Sequence, residues 1–135
     1  MTKFLLMVNY DGGVFDGQPM ESWDPKDVEA HLEYYRVLNE ELTASGELVD
    51  GMALTGPELA SIVRADGTSA PVITDGPFPE VKELLAGFQL VDVESKERAL
   101  EIAAQVSAVP GPGGVPTQQP IEVRQLMGHP PGIDT

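Results

Sequence analysis

The sequence predicts an α+β fold in which two helices cover one face of an antiparallel sheet and a β-hairpin is inserted between two of its strands. Three observations predict it. Apolar runs of strand length recur at 3–10, 47–54, 84–93 and 121–127, and two segments, 24–46 and 95–106, carry helical periodicity. Between them, Asp66-Gly67 separates two short strand-like stretches and accepts the backbone angles of a tight turn. With 135 residues, 41% of them hydrophobic, the chain can bury one core but not two.

Taken in order, KFLLMVNY (3–10) is apolar at both alternating sets of positions, Phe4, Leu6 and Val8 on one and Leu5 and Met7 on the other. A strand of that kind is covered on both faces. Residues 11–23 are rich in Gly and Asp and read as an exposed loop, long enough to act as a lid. A helix follows: Asp24 is placed to cap it, Pro25 to occupy its first position, Asp27 its first turn, and Gly46 to end it. Val28, Leu32, Tyr35, Leu38 and Leu42 form its expected apolar stripe. Residues 47–54 predict a second strand, 60–65 and 70–74 the hairpin, and LLAGFQLVDV (84–93) the next long strand. Ser95 caps a second helix to about Val106, burying Ala99, Leu100, Ile102, Ala103 and Val106. PGPGGVPTQQP reads as a Gly/Pro linker, IEVRQLM as the last strand, and residues 129–135 as a mobile tail beyond a single domain of residues 1–128.

The order is that of a ferredoxin-like βαββαβ sandwich with an inserted β-hairpin. Two helices cover only one sheet face, so the apolar residues of the other predict a homodimer packed sheet to sheet.

Composition narrows function by exclusion. The 22 acidic and eight basic residues leave a net charge of −14 with no cationic cluster, which disfavours direct nucleic acid binding and anionic membrane surfaces. Without cysteine there is neither a disulfide nor a thiolate site. The N-terminal apolar run is too short for a signal core or a membrane span, so a soluble cytoplasmic protein is expected. Neither histidine has zinc-site spacing and no Gly-rich loop has phosphate-binding form, so no metal and no cofactor is expected.

The most distinctive stretch is TDGPFPEVKELLAGF (74–88). Gly76 and Pro77 together hold the chain in one bend, and with it the carboxylate of Asp75. With the following strand-then-helix pattern and IEVRQL, this stretch resembles the YCII-related proteins, specifically the branch named for its Asp-Gly-Pro-Phe signature. The resemblance covers most of the chain and implies a dimeric ferredoxin-like fold. It implies little about reaction: the wider family includes a lactone dehalogenase-like enzyme, a His/Asp pair has been proposed as catalytic, and members of this branch are often encoded beside alternative sigma factors. The longer loop 11–23 and the stretch 110–120 depart from the usual pattern.

His31 and Asp75 are accordingly the candidate catalytic pair. His31 lies near the centre of the apolar stripe and is the only histidine outside the tail, with an ordinary pKa suited to proton transfer near neutral pH. An adjacent carboxylate would raise that pKa. Packing is the bland reading of His31, and hydrogen bonding within its own turn that of Asp75. Trp23, Tyr35, Phe78 and Glu83 are the candidate substrate-binding residues, with Tyr34 and Phe88 as further walls; core packing, or a surface ion pair for Glu83, is the alternative for each. Two functions follow. One is a cofactor-independent enzyme acting on a small organic acid or lactone by isomerisation, elimination or a dehalogenation-like reaction. The other is a non-catalytic dimeric module that binds a small molecule or a regulatory protein such as a sigma factor.

Overall fold

The computed structural model describes residues 1–11, 20–76 and 83–133, with backbone only at residues 10, 11, 21, 83 and 84. Six strands and two α-helices run in the order β1 (Thr2–Asp11), α1 (Pro25–Ala44), β2 (Leu48–Ala53), β3 (Ser61–Arg64), β4 (Val72–Asp75), β5 (Glu83–Val93), α2 (Lys96–Ser107) and β6 (Ile121–Gln125). Four of these strands form one sheet in the order β2-β5-β1-β6, every pair antiparallel, and β3 and β4 form a separate two-stranded ribbon. This is the ferredoxin-like α+β fold with its inserted hairpin.

The helix boundaries follow local chemistry. The Asp24 carboxylate accepts the Lys26 amide at 3.0 Å and Pro25 occupies the first helical position, so α1 starts with its orphan donors partly satisfied. Ser95 does the same for α2 by accepting from the Arg98 amide. In the ribbon, Gly67 adopts a φ of +84°, and the Asp66 carboxylate accepts the amides of Thr68 and Ser69, which pulls its pKa down to about 2.

Strand alternation sorts the central sheet into two faces. On the helix side, Phe4, Leu6, Val91 and Val93 meet Leu38 and Leu42 of α1 and Ala99, Ile102, Ala103 and Val106 of α2, all buried. Leu32 and Leu100, expected on the buried stripes, are instead exposed. The inward line of α1 runs through His31, Leu38 and Leu42, and that of α2 through Ala99, Ile102, Ala103 and Val106, so each misplaced leucine lies off the centre of its helix face. The Arg98 guanidinium clamps Glu47 at 2.7 and 2.9 Å, tying the start of β2 to the first turn of α2 and holding the Glu47 carboxyl below its ordinary range.

The opposite face carries cross-strand rows that the register sets out directly. Asp50, Leu90, Leu5 and Arg124 form one row and Met52, Phe88, Met7 and Glu122 the next, with Lys3 beside Asp92 beyond them. No described helix covers these rows. Phe88 therefore belongs to this face and not to the one beneath α1.

At Gly87 the backbones of β2 and β5 leave no room for a side chain. A Cβ there would stand 2.7 Å from the Met52 carbonyl oxygen, and backbone cannot yield as a side-chain tip can. Gly87→Ala should cost about 1–3 kcal/mol by forcing β2 away from β5. Urea unfolding checks this; an unchanged midpoint would show that the pairing relaxes freely.

Candidate functional site

One end of the sheet gathers the elements that carry the candidate residues. β1 ends at Asp11 opposite Glu83, where β5 begins, so the C-terminal end of β1 and the N-terminal end of β5 coincide. α1 starts from that end, α2 returns to it, and β6 leaves it with Ile121 opposite Val8. The ribbon is rooted there too: the Leu54 amide donates to the Ala86 carbonyl, and Gly76 donates to Ala60 at its base.

His31 occupies the first half of α1 with only 6% of its surface exposed. Trp23, buried in the turn before the helix, meets its ring edge to face at a centroid distance of 5.4 Å, and Tyr35, one helical turn on, does so at 5.2 Å. The Trp23 amide donates to Met20, which fixes the turn. The imidazole therefore stands in an aromatic slot with little rotational freedom.

Its orientation is set from across the fold. His31 Nδ1 lies 2.8 Å from the Pro110 carbonyl oxygen. A carbonyl can only accept, so Nδ1 carries the proton and, in the neutral ring, Nε2 carries the lone pair. Burial pushes the His31 pKa below 6.5, and the hydrogen bond to Pro110 offsets part of that effect. The direction is opposite to the rise that a neighbouring carboxylate would bring. Tyr35 is pushed up to about 12, chiefly by burial, so its hydroxyl stays protonated throughout the physiological range.

The segment from Pro110 is not a slack linker. Thr117 and Val109 are joined by an amide-to-carbonyl bond, Gln118 donates to Ser107, the Ser107 hydroxyl donates to Gln119, and Gly111 donates to Val115. The Gly113 amide donates to Asp27 of α1 at 3.0 Å, which docks the loop on the helix that carries His31. The Pro110 carbonyl is thus a rigid acceptor that the sequence reading missed. No side-chain signal could reveal it, because the group is main chain.

Asp75 is the last residue of β4, exposed, and accepts a hydrogen bond from the Ser61 hydroxyl at 2.7 Å across the ribbon. His31 and Asp75 share no hydrogen bond among the described residues; each has its own partner. Trp23, His31 and Tyr35 are brought into one cluster, while Tyr34 turns to the Gln105 carbonyl. Phe78 lies outside the described residues, as does the side chain of Glu83. No group of three metal-ligating side chains is found among the described residues, and no described helix is long and apolar enough to cross a membrane.

Comparison with known proteins places the chain beside a known family. Residues 3–121 match the YCII-related domain. The chain is 27% identical over 117 residues to an uncharacterised protein of Rhizobium meliloti (strain 1021), an alignment spanning 87% of this chain and 90% of that protein.

Two measurements check the state of His31. Long-range ¹H–¹⁵N spectra at pH 7.5 should show the Nδ1–H tautomer; the Nε2–H tautomer would refute the Pro110 clamp. Because the folded pKa lies below the unfolded value, the unfolded chain takes up the proton first as pH falls. The stability that neutral His31 contributes is present above about pH 6.5 and is lost as pH drops through the folded pKa. The stability advantage of the wild type over His31→Gln should therefore shrink from pH 7.5 to 5, and a pH-independent difference would contradict the burial effect.

Proposed function

The chain belongs to the YCII-related family, and on that premise we propose that it is a cofactor-independent acid–base enzyme acting on a small organic acid or lactone. The observation that carries this reading is the buried His31 with its Nδ1 held by the Pro110 carbonyl, which leaves Nε2 as the basic nitrogen of the neutral ring. A desolvated imidazole with its proton fixed on Nδ1 is equipped to accept a proton from carbon without a prior tautomer change. In the step proposed, a C–H bond beside the substrate carbonyl breaks, its electron pair passes into the carbonyl as an enolate, and the proton goes to Nε2. Return of that proton to another carbon isomerises the substrate, and loss of a β-substituent completes an elimination.

Asp75 is the second member of the pair. Its place at the ribbon base, at the same end of the sheet as the start of α1, supports a role in fixing charge on the substrate or on the imidazolium as it forms. Nδ1 is already engaged by Pro110, so Asp75 acts from the Nε2 side. Trp23 and Tyr35 wall the slot, and Phe78 and Glu83 complete the candidate substrate contacts. Without turnover, the same slot would serve the second reading, a dimeric small-molecule-binding or regulatory module.

We also propose that the protein is a homodimer joined through the helix-free sheet face. A two-fold axis running along the strands between β1 and β5 would lay β5 over the partner's β1 and β2 over the partner's β6. Asp92 would then face Lys3 of the partner subunit, and Asp50 would face Arg124 of the partner subunit. Leu5 and Met7 would meet Leu90 and Phe88 across the axis.

Solvent deuterium incorporation tests the enzyme reading. Acids and lactones that perturb the Trp23 and Tyr35 signals should exchange their α-protons in D₂O with the wild type. His31→Gln should slow that exchange by about 10²–10⁴-fold. Asp75→Asn should lose it while leaving the unfolding midpoint almost unchanged, because an amide oxygen still accepts from Ser61. Ligands that saturate the protein yet never exchange would overturn acid–base catalysis in favour of the binding module. For the dimer, light scattering should give twice the chain mass, and Leu90→Asp should reduce it to one; a monomeric wild type at micromolar concentration would refute it.

A further inference from the structure

The β3–β4 ribbon is apolar on both faces, and among the described residues it is covered on neither. The register places Val63 and Ile73 on one face with Ser61 and Asp75, and Ile62 and Val72 on the other with Thr74 and Arg64. Every one of these residues is exposed, Val63 by 60% and Ile73 by 63%. A two-stranded ribbon with such faces is marginal on its own in water, and both of its edges are unpaired among the described residues. A strand pair this rich in β-branched residues, left bare, is also a site of uncontrolled association.

We propose that a second copy of this chain covers the ribbon, each ribbon acting as an arm that packs on the partner at the site end of its sheet. This rests on the homodimer read above and extends it. The first argument is area. Strands spaced about 4.8 Å apart, β1 and β5 paired over ten rows of about 3.4 Å and β2 and β6 over five, present a projected face of roughly 500 Å², a small footprint beside the ~800 Å² of accessible surface that each partner contributes to a standard interface. The sheet face alone falls short, and the arms supply the missing apolar surface.

The second argument is continuity. A two-fold axis along the strands superposes the same ends of the two sheets. The ribbon root beside Ala86 then emerges where the partner's β1 ends and its β6 begins. The third is charge. Arg64 makes no ion pair among the described residues, and a chain of net charge −14 is an acidic surface for it to meet. Because the Ser61–Asp75 pair closes the base of the same ribbon, docking the arm would also hold the Asp75 carboxylate.

The test mixes two forms of the full-length protein, one carrying ¹³C-methyl Ile and Val and the other perdeuterated except for its Leu and Met methyls. Isotope-filtered NOE spectra should connect the methyls of Ile62, Val63, Val72 and Ile73 to the unlabelled copy. The double variant Val63→Asp/Ile73→Asp should raise the dimer dissociation constant at least tenfold in sedimentation equilibrium, with the far-UV spectrum preserved because both side chains are exposed in the single chain. A dimer that keeps its affinity in this variant and shows no such NOEs would overturn the arm while leaving the sheet-face dimer intact. A wild type that stays monomeric would overturn both.

Discussion

The antiparallel ladder between β1 and β5 is the constraint on which the other elements depend. Its register, running from Thr2 opposite Val93 to Asp11 opposite Glu83, decides which residue of each pair faces the helices. A slip of one residue would send Phe4, Leu6, Val91 and Val93 to the wrong side and remove the surface on which α1 and α2 rest. β2 and β6 then add to the outer edges of this pair, and their positions follow from it. The register shift between Val8 and Asn9 falls at the end where the ribbon and the candidate site are attached, so regular pairing gives way there to geometry that serves the loops.

Much of this was legible beforehand. The helix starts were written in Asp24-Pro25 and Ser95, and the ribbon turn in Asp66-Gly67, because capping and tight turns demand those residue types locally. Alternation along β1 and β5 exposed a sheet that two helices could not cover. What the pattern could not resolve was the rotation of each helix. Leu32 and Leu100 look like core residues, yet only packing against a particular sheet decides which side of an apolar stripe faces inward.

The candidate site was legible by half. His31 stood out as the lone histidine on the inner side of α1, and Trp23 and Tyr35 do surround it. The group that sets its tautomer could not be foreseen, since it is the carbonyl of Pro110, distant in sequence and inside a stretch whose glycines and prolines suggest slack. Those same residues fold the stretch tightly, through hydrogen bonds from 107 to 119 and the contact with Asp27. The placement of Asp75 shows a complementary limit: its motif announces a held carboxylate, but the partner holding it, Ser61, belongs to a strand the motif does not include.

That the Pro110 clamp is a main-chain atom has a consequence for how the site can change. Substituting side chains one at a time leaves a carbonyl at position 110 whatever residue is put there, so a conventional scan passes over the group that orients His31. Its position depends on the path of the chain between α2 and β6, and therefore on the number of residues in that span more than on their identity. Related chains that lengthen or shorten the span would re-aim the imidazole while every side chain of the slot stayed the same, making loop length the coordinate along which the orientation of this histidine can drift.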